Sequence, residues 1–152
     1  MNIILVPIDF SPVSRNVVRE AARLSRAVGG RIVLMHVVQP PVVTDFETVA
    51  YDRGIYVNLA EKNARQHLAR TGATLRKDGV SAEFVEETGH PATCILAQAK
   101  RRAARYIVLG SHGHTAFFDL IVGSTASGVL KRASCPVVVV PSPAKAPRRS
   151  KR

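Results

Sequence analysis

Gly110, Gly113 and Gly123 punctuate the stretch "GSHGHTAFFDLIVGST" (110–125), with two and then nine residues between them. Ser124 and Thr125 follow the third glycine directly. Glycine lets backbone approach a ligand with no Cβ in the way. The hydroxyl pair opens a helical pattern, and the first amides of a helix lack an acceptor within it. Amides and hydroxyls in that arrangement suit an anion. The chemistry is therefore recognition of phosphate by backbone, and His112, between the first two glycines, lies in the same stretch. Taken singly, each glycine fits an ordinary turn or cap better; together, at a strand end and a helix start, they favour the phosphate cradle. The sequence has neither GxxxxGK[ST] nor GxGxxG, so a P-loop and a dinucleotide fingerprint are both unsupported.

A second candidate is Asp9, at the end of the apolar run "NIILVPI" (2–8). It lacks the acidic neighbour of a phospho-acceptor site; as a plain structural residue it would help Ser11 cap the first helix. Of five histidines, His36 sits in an apolar run and reads as core, and His67 on a polar helix reads as solvent-facing. His90, His112 and His114 fall near one rim, but His-x-His alone is a weak metal signature.

These residues need a frame, and the sequence alternates strand and helix. Apolar runs at 2–8, 31–38, 80–87, 106–110 and 135–141 read as five strands. Helices are expected between them: at 11–30, with Ser11 as N-cap, Pro12 at its first position and Gly29-Gly30 at its end; at about 47–77, with Gly54 as a break; at 89–105; and at 124–132. Such alternation implies a single-domain α/β fold, a doubly wound five-stranded parallel sheet with helices on both faces. Ligands of such sheets bind past the C-terminal strand ends, where strand order reverses. The fourth strand ends at Gly110. In the first helix Val17, Ala21, Leu24 and Val28 form a stripe, opposite Arg15, Arg19, Arg23 and Arg26, which read as a solvated face. The domain is expected to span 1–142. Residues 143–152 carry Lys145, Arg148, Arg149, Lys151 and Arg152 and no acid, and read as a disordered basic tail.

Composition bounds the function. The chain has 152 residues, 46% of them hydrophobic, enough for one packed core. Its formal charge is +11, and it stays basic without the tail, which favours phosphate-bearing or polyanionic partners. The tail's charge makes contact with nucleic acid or an anionic surface a further expectation. Cys94 and Cys135 form no CxxC pair, and the N-terminal apolar run is too short for a signal peptide or a membrane span. A reduced, cytoplasmic protein is expected.

The pattern G-x2-G-x9-G-[ST], filled by Gly110, Gly113, Gly123 and Ser124, resembles the nucleotide motif of the universal stress protein family. "ILVPIDFSPVS", "IVLMHVV" and "CPVVVVP" are similar to the family's first, second and last strands, so the resemblance covers about residues 2–141. It implies a Rossmann-like sheet of the adenine nucleotide alpha-hydrolase type. In the family's ATP-binding branch the motif glycines and hydroxyl hold phosphates, the aspartate after the first strand lies near ribose, and second-strand backbone meets adenine. Carried over, the phosphate group is Gly110, His112, Gly113, Gly123, Ser124 and Thr125; Asp9 serves the ribose, Val37 the base, and Pro7 and Ile8 border the base. Members often carry a basic residue after the second glycine and a further glycine soon after; His114 and Ala116 stand there. The implied ligand is ATP or AMP, with Mg²⁺ held mainly by phosphates and water. The resemblance also implies a homodimer through the last strand.

Three functions follow from the sequence. One is a nucleotide-dependent binding or regulatory module of a stress response. The second is a slow Mg²⁺-dependent ATPase, for which 110–125 lacks any Lys or Arg. The third is a basic nucleic-acid binder, for which aromatics are scarce, at 5% with no Trp.

Overall fold

The five apolar runs become strands β1 (Asn2–Pro7), β2 (Gly30–Val38), β3 (Ala82–Thr88), β4 (Tyr106–Gly110) and β5 (Val137–Val140). Four helices join them: α1 (Ser14–Val28), α2 (Val49–Lys77), α3 (Pro91–Arg101) and α4 (Ser124–Leu130). The computed structural model describes residues 1–40, 49–111 and 122–141, with backbone alone at 49–54 and 56. One sheet has the order β3-β2-β1-β4-β5, every neighbouring pair parallel. The chain is the expected doubly wound α/β sheet.

Side chains alternate across each strand, so the central strands feed two cores at once. On one face Ile4, Val6, Ile32, Leu34 and Val108 pack with Val17 and Ala21 of α1 and Leu68 and Leu75 of α2. On the other, Leu5, Val33, Met35, Ile107 and Leu109 meet Ile95 of α3 and Val129 of α4. Burial on both sides explains why β1, β2 and β4 read as continuous apolar runs.

Helix ends follow local chemistry. Gly29 closes α1 in the left-handed conformation, φ 62°, its N–H donating to Ser25 O. Pro91 opens α3, and Lys100 and Arg101 sit in its last turn, where the dipole favours cations. Two expectations are corrected. α1 starts at Ser14, not Pro12, because residues 11–13 form a separate turn in which Ser14 N–H donates to Ser11 O at 3.0 Å. Helix α2 runs unbroken through Gly54; one glycine costs about 1 kcal/mol against alanine, which a 29-residue helix packed on the sheet absorbs. Among the described residues no helix is long and apolar enough to cross a membrane.

Candidate functional site

Strand order reverses between β1 and β4. From β1 the chain leaves through α1 on one face towards β2; from β4 it leaves towards α4 on the other face and β5. The crevice past their C-terminal ends is where such sheets take ligands. The β1–β4 register pairs Leu5 with Ile107. Continued along both chains, it brings Ile8 level with Gly110.

The β1 exit is rigidly held. Ile8 is buried, and its N–H donates to Met35 O at 2.8 Å. Asp9 Oδ1 accepts from Ser11 N–H and from Ser14 Oγ, each at 3.0 Å. The carboxylate, rather than the Ser11 hydroxyl, therefore organises the entry to α1; no side chain caps the helix at Val13. Phe10 turns the chain with φ 62°, a conformation that disfavours a bulky residue. Its ring stacks on His36, centroids 4.4 Å apart, and tilts against His67 at 4.9 Å. His36 Nδ1 lies 2.8 Å from Ile8 O. A carbonyl only accepts, so Nδ1 carries the proton of that bond. His36 is thus a satisfied, half-buried residue as expected. His67 is exposed, as expected, yet also supports Phe10.

Beside this turn β2 outruns β1. The last β1–β2 register pair is Pro7 with Met35, whereas β2 and β3 stay paired to Val38 and Thr88. Met35 O accepts from β1's side, and backbone direction alternates along a strand, so Val37 aims its N–H and C=O the same way. That donor and acceptor face the space past the last β1–β2 register pair.

The β4 side is built by two backbone bonds. Ser111 N–H donates to Val140 O at 2.8 Å, and Gly123 N–H to Ser111 O at 2.7 Å. The two ends of the glycine-bounded segment therefore meet. Gly110 is the last residue of β4, in register with Val140, so it extends the strand rather than turning it. Gly123 takes φ −57° and ψ 157°, which any residue can adopt. Its amide is committed to Ser111, leaving the first-turn amides of Ser124 and Thr125 as the donors at that end. Pro7, Ile8, Asp9 and Val37 thus border the crevice from β1 and β2, and Gly110, Gly123, Ser124 and Thr125 from β4 and α4. His112 and Gly113 lie outside the described residues, as do His114, Ala116, Asp119 and the tail. His90 precedes α3, its Nδ1 3.4 Å from Thr93 Oγ1. Among the described residues no three His, Cys, Asp or Glu side chains group as metal ligands.

Sequence reasoning missed Phe10 and Ser14. Ser14 lies five residues beyond Asp9, outside the usual capping spacings, and the Phe10 stack joins positions 10, 36 and 67, which no local pattern connects.

Both cysteines are half-buried and free. Burial raises both thiol pKa values, and the Glu87 carboxylate raises that of Cys94 further.

Residues 1–141 match the family described as the Universal stress protein family. Universal stress protein YxiE of Bacillus subtilis is 29% identical over 148 residues, spanning 91% of this chain and 98% of the relative. Universal stress protein UspA from Lactobacillus plantarum superposes with a TM-score of 0.80 at 24% identity, over 91% of this chain and 97% of that one. The universal stress protein from Archaeoglobus fulgidus in complex with dAMP superposes with a TM-score of 0.65 at 24% identity, over 91% and 97%. At these identities the superpositions establish the fold.

Proposed function

The chain belongs to the universal stress protein family, and from that premise we propose that it binds an adenine nucleotide, ATP or AMP, in the β1–β4 crevice and acts as a nucleotide-dependent regulatory module. Gly110, His112, Gly113, Gly123, Ser124 and Thr125 would surround the phosphates, Asp9 the ribose, and Val37 the adenine edge, with Pro7 and Ile8 beside the ring. What supports this reading is that three unlike recognition elements lie at C-terminal strand ends flanking the strand-order reversal: the Asp9 carboxylate held by two donors after β1, the Val37 donor–acceptor pair near the end of β2, and the Ser124–Thr125 helix start beyond β4. Each matches a different part of a nucleotide. The dAMP-bound relative of the same fold supports the ligand class. Mg²⁺ fits as an ion carried by the phosphates and water, since it needs few protein ligands.

The test is calorimetric titration of ATP and AMP into the full chain and into Gly123→Val. Because φ at Gly123 suits any residue, valine there changes the space offered to phosphate more than the backbone; the N-cap change costs about 1 kcal/mol of stability. Micromolar-range binding by the wild type and its loss in the variant are expected. Equal affinity in both overturns the cradle. Mg²⁺-dependent ATP turnover by the same purified protein, even if slow, would favour the ATPase reading over the regulatory one.

We also propose a cytoplasmic homodimer joined through β5. That strand is the sheet edge, carries four valines and leaves Val138 38% exposed. A second copy would cover it with two-fold symmetry. The basic segment 143–152 is proposed to stand outside the 1–142 domain as a weak polyanion contact.

A further inference from the structure

A groove of about 910 Å³ runs between α1 and α2, on the face of the sheet away from α4. The helices lie side by side in the same direction. Phe10 meets His67 at one end, and Arg26 Nη2 donates to Asp78 O at 3.2 Å at the other. The α1 wall is Arg15, Arg19, Arg23 and Arg26, all exposed. The α2 wall includes Thr71 and Thr74, whose hydroxyls donate to carbonyls of their own helix, His67 O and Arg70 O. The floor is apolar, from Val18, Ala22 and Leu75. A row expected to face only water is one side of a channel.

Three features set this wall apart from an ordinary solvated face. Solvated helices usually interleave opposite charges; here Glu20 is the one acid of α1, shared by Arg19 and Arg23. Arg15 sits in the first turn, at the positive end of the helix dipole, where a cation is unfavourable and where α1 has no acid. It has no partner among the described residues. At the same end Ser11 is 3% exposed and lines the groove, and its Oγ also has no partner among the described residues. A local rule broken without a compensating contact marks a functional position.

We infer that this groove is a second binding site, independent of the nucleotide crevice, for a phosphate polymer. All four cations are arginine, whose planar fork takes phosphate oxygens two at a time. Arg15, Arg19 and Arg23 recur every four residues, about 6 Å apart along the axis, and the row to Arg26 is about 16 Å long. That is a line of charge, suited to a chain of anions rather than to one. The phosphate chain is a single-stranded nucleic acid, whose sugars and bases lie over the apolar Val18–Leu75 floor.

The test isolates the groove in full-length protein whose tail cations Lys145, Arg148, Arg149, Lys151 and Arg152 are replaced by glutamine. Anisotropy of a labelled oligo-dT is measured against salt with and without Arg15→Gln plus Arg19→Gln. Glutamine matches arginine in helix propensity, so folding is preserved; circular dichroism checks it, and Arg101→Gln on α3 serves as the off-groove control. Each phosphate contact contributes about 0.7 to the salt slope for single strands. The double variant is expected to flatten the slope by about 1.4 and to weaken binding about 25-fold at 0.1 M salt, with the control unchanged. Polyphosphate that competes more effectively than unlabelled oligo-dT overturns the nucleic-acid assignment. Unchanged slope and affinity in the double variant overturn the site, as does an equal loss in the control. Competition by poly-glutamate as effective as by polyphosphate overturns the phosphate assignment in favour of acidic proteins.

Discussion

The two edges of the sheet handle the same problem in opposite ways. At β3, charge covers the exposed backbone: Glu83 pairs with Arg31 at 3.5 Å and with Arg102, Glu86 with Arg65 at 3.3 Å, and Glu87 with Arg101 at 3.5 Å. At β5 there is no charge within Val137–Val140, and only Pro136 and Pro141 bracket the strand. Charged side chains and prolines are both devices against edge-to-edge pairing. One edge thus carries paired charge along its length, and the other carries none over four residues. The difference teaches that charge is not distributed uniformly over the two edges; the bare edge is the one proposed to meet a second copy.

The largest effect that breaks this comparison is expected from Val139→Pro. Pro136 O and Val140 O both accept from β4's side, so alternation along the strand turns the Val139 N–H to the open edge. Proline removes that donor, so light scattering should give a monomeric mass where the wild type at micromolar concentration gives twice that mass. A monomeric wild type would mean that both edges are closed. Glu83→Ala tests the other edge. It removes the partner of both Arg31 and Arg102, yet these groups are about one-third exposed, so urea unfolding should show a loss of about 1 kcal/mol or less and no change of oligomeric state. The smallest effect separates the two thiols. Glu87→Gln removes a negative charge that opposes ionisation of Cys94, so the pH profile of its alkylation should move to lower pH. Cys135, raised by burial alone, should keep its profile. A shift at both would assign the effect to a change of the whole fold.

Strands β1, β2 and β4 were legible because each is buried on both faces, and two-sided burial writes itself as an unbroken apolar run. The edge position of β5 followed from its being last in a doubly wound order. The start of α1 was misread because "SPVS" carries the local signs of a cap, whereas the acceptor that orders the turn is Asp9, and Ser14 is where the helix begins. Gly54 misled for the opposite reason: its local cost is real, but the helix around it is held by the sheet. Gly110 taken singly fits a turn because glycine allows one, but its pairing with Val140 keeps it extended. The arginine row was visible, but the groove it walls was not, since nothing in α1 announces how α2 lies against it. The approach of Gly123 to Ser111 was foreshadowed only by the glycine spacing.

The β1–β4 junction has a kinetic consequence. A purely parallel sheet contains no hairpin, so every strand pairing must close a long loop. Ile4 meets Tyr106, and closing that pair encloses most of the chain. Loop-closure entropy and the slowing of folding by non-local contacts both fall most heavily there. The half made of β1, β2 and β3 can assemble while β4 and β5 are still unjoined, and the crevice exists only once the halves meet. A ligand held across it would bind the joined state alone, raising its stability in proportion to the logarithm of ligand concentration over the dissociation constant. Occupancy would then act as a clasp on the slowest-forming seam of the protein, lengthening the lifetime of the native state.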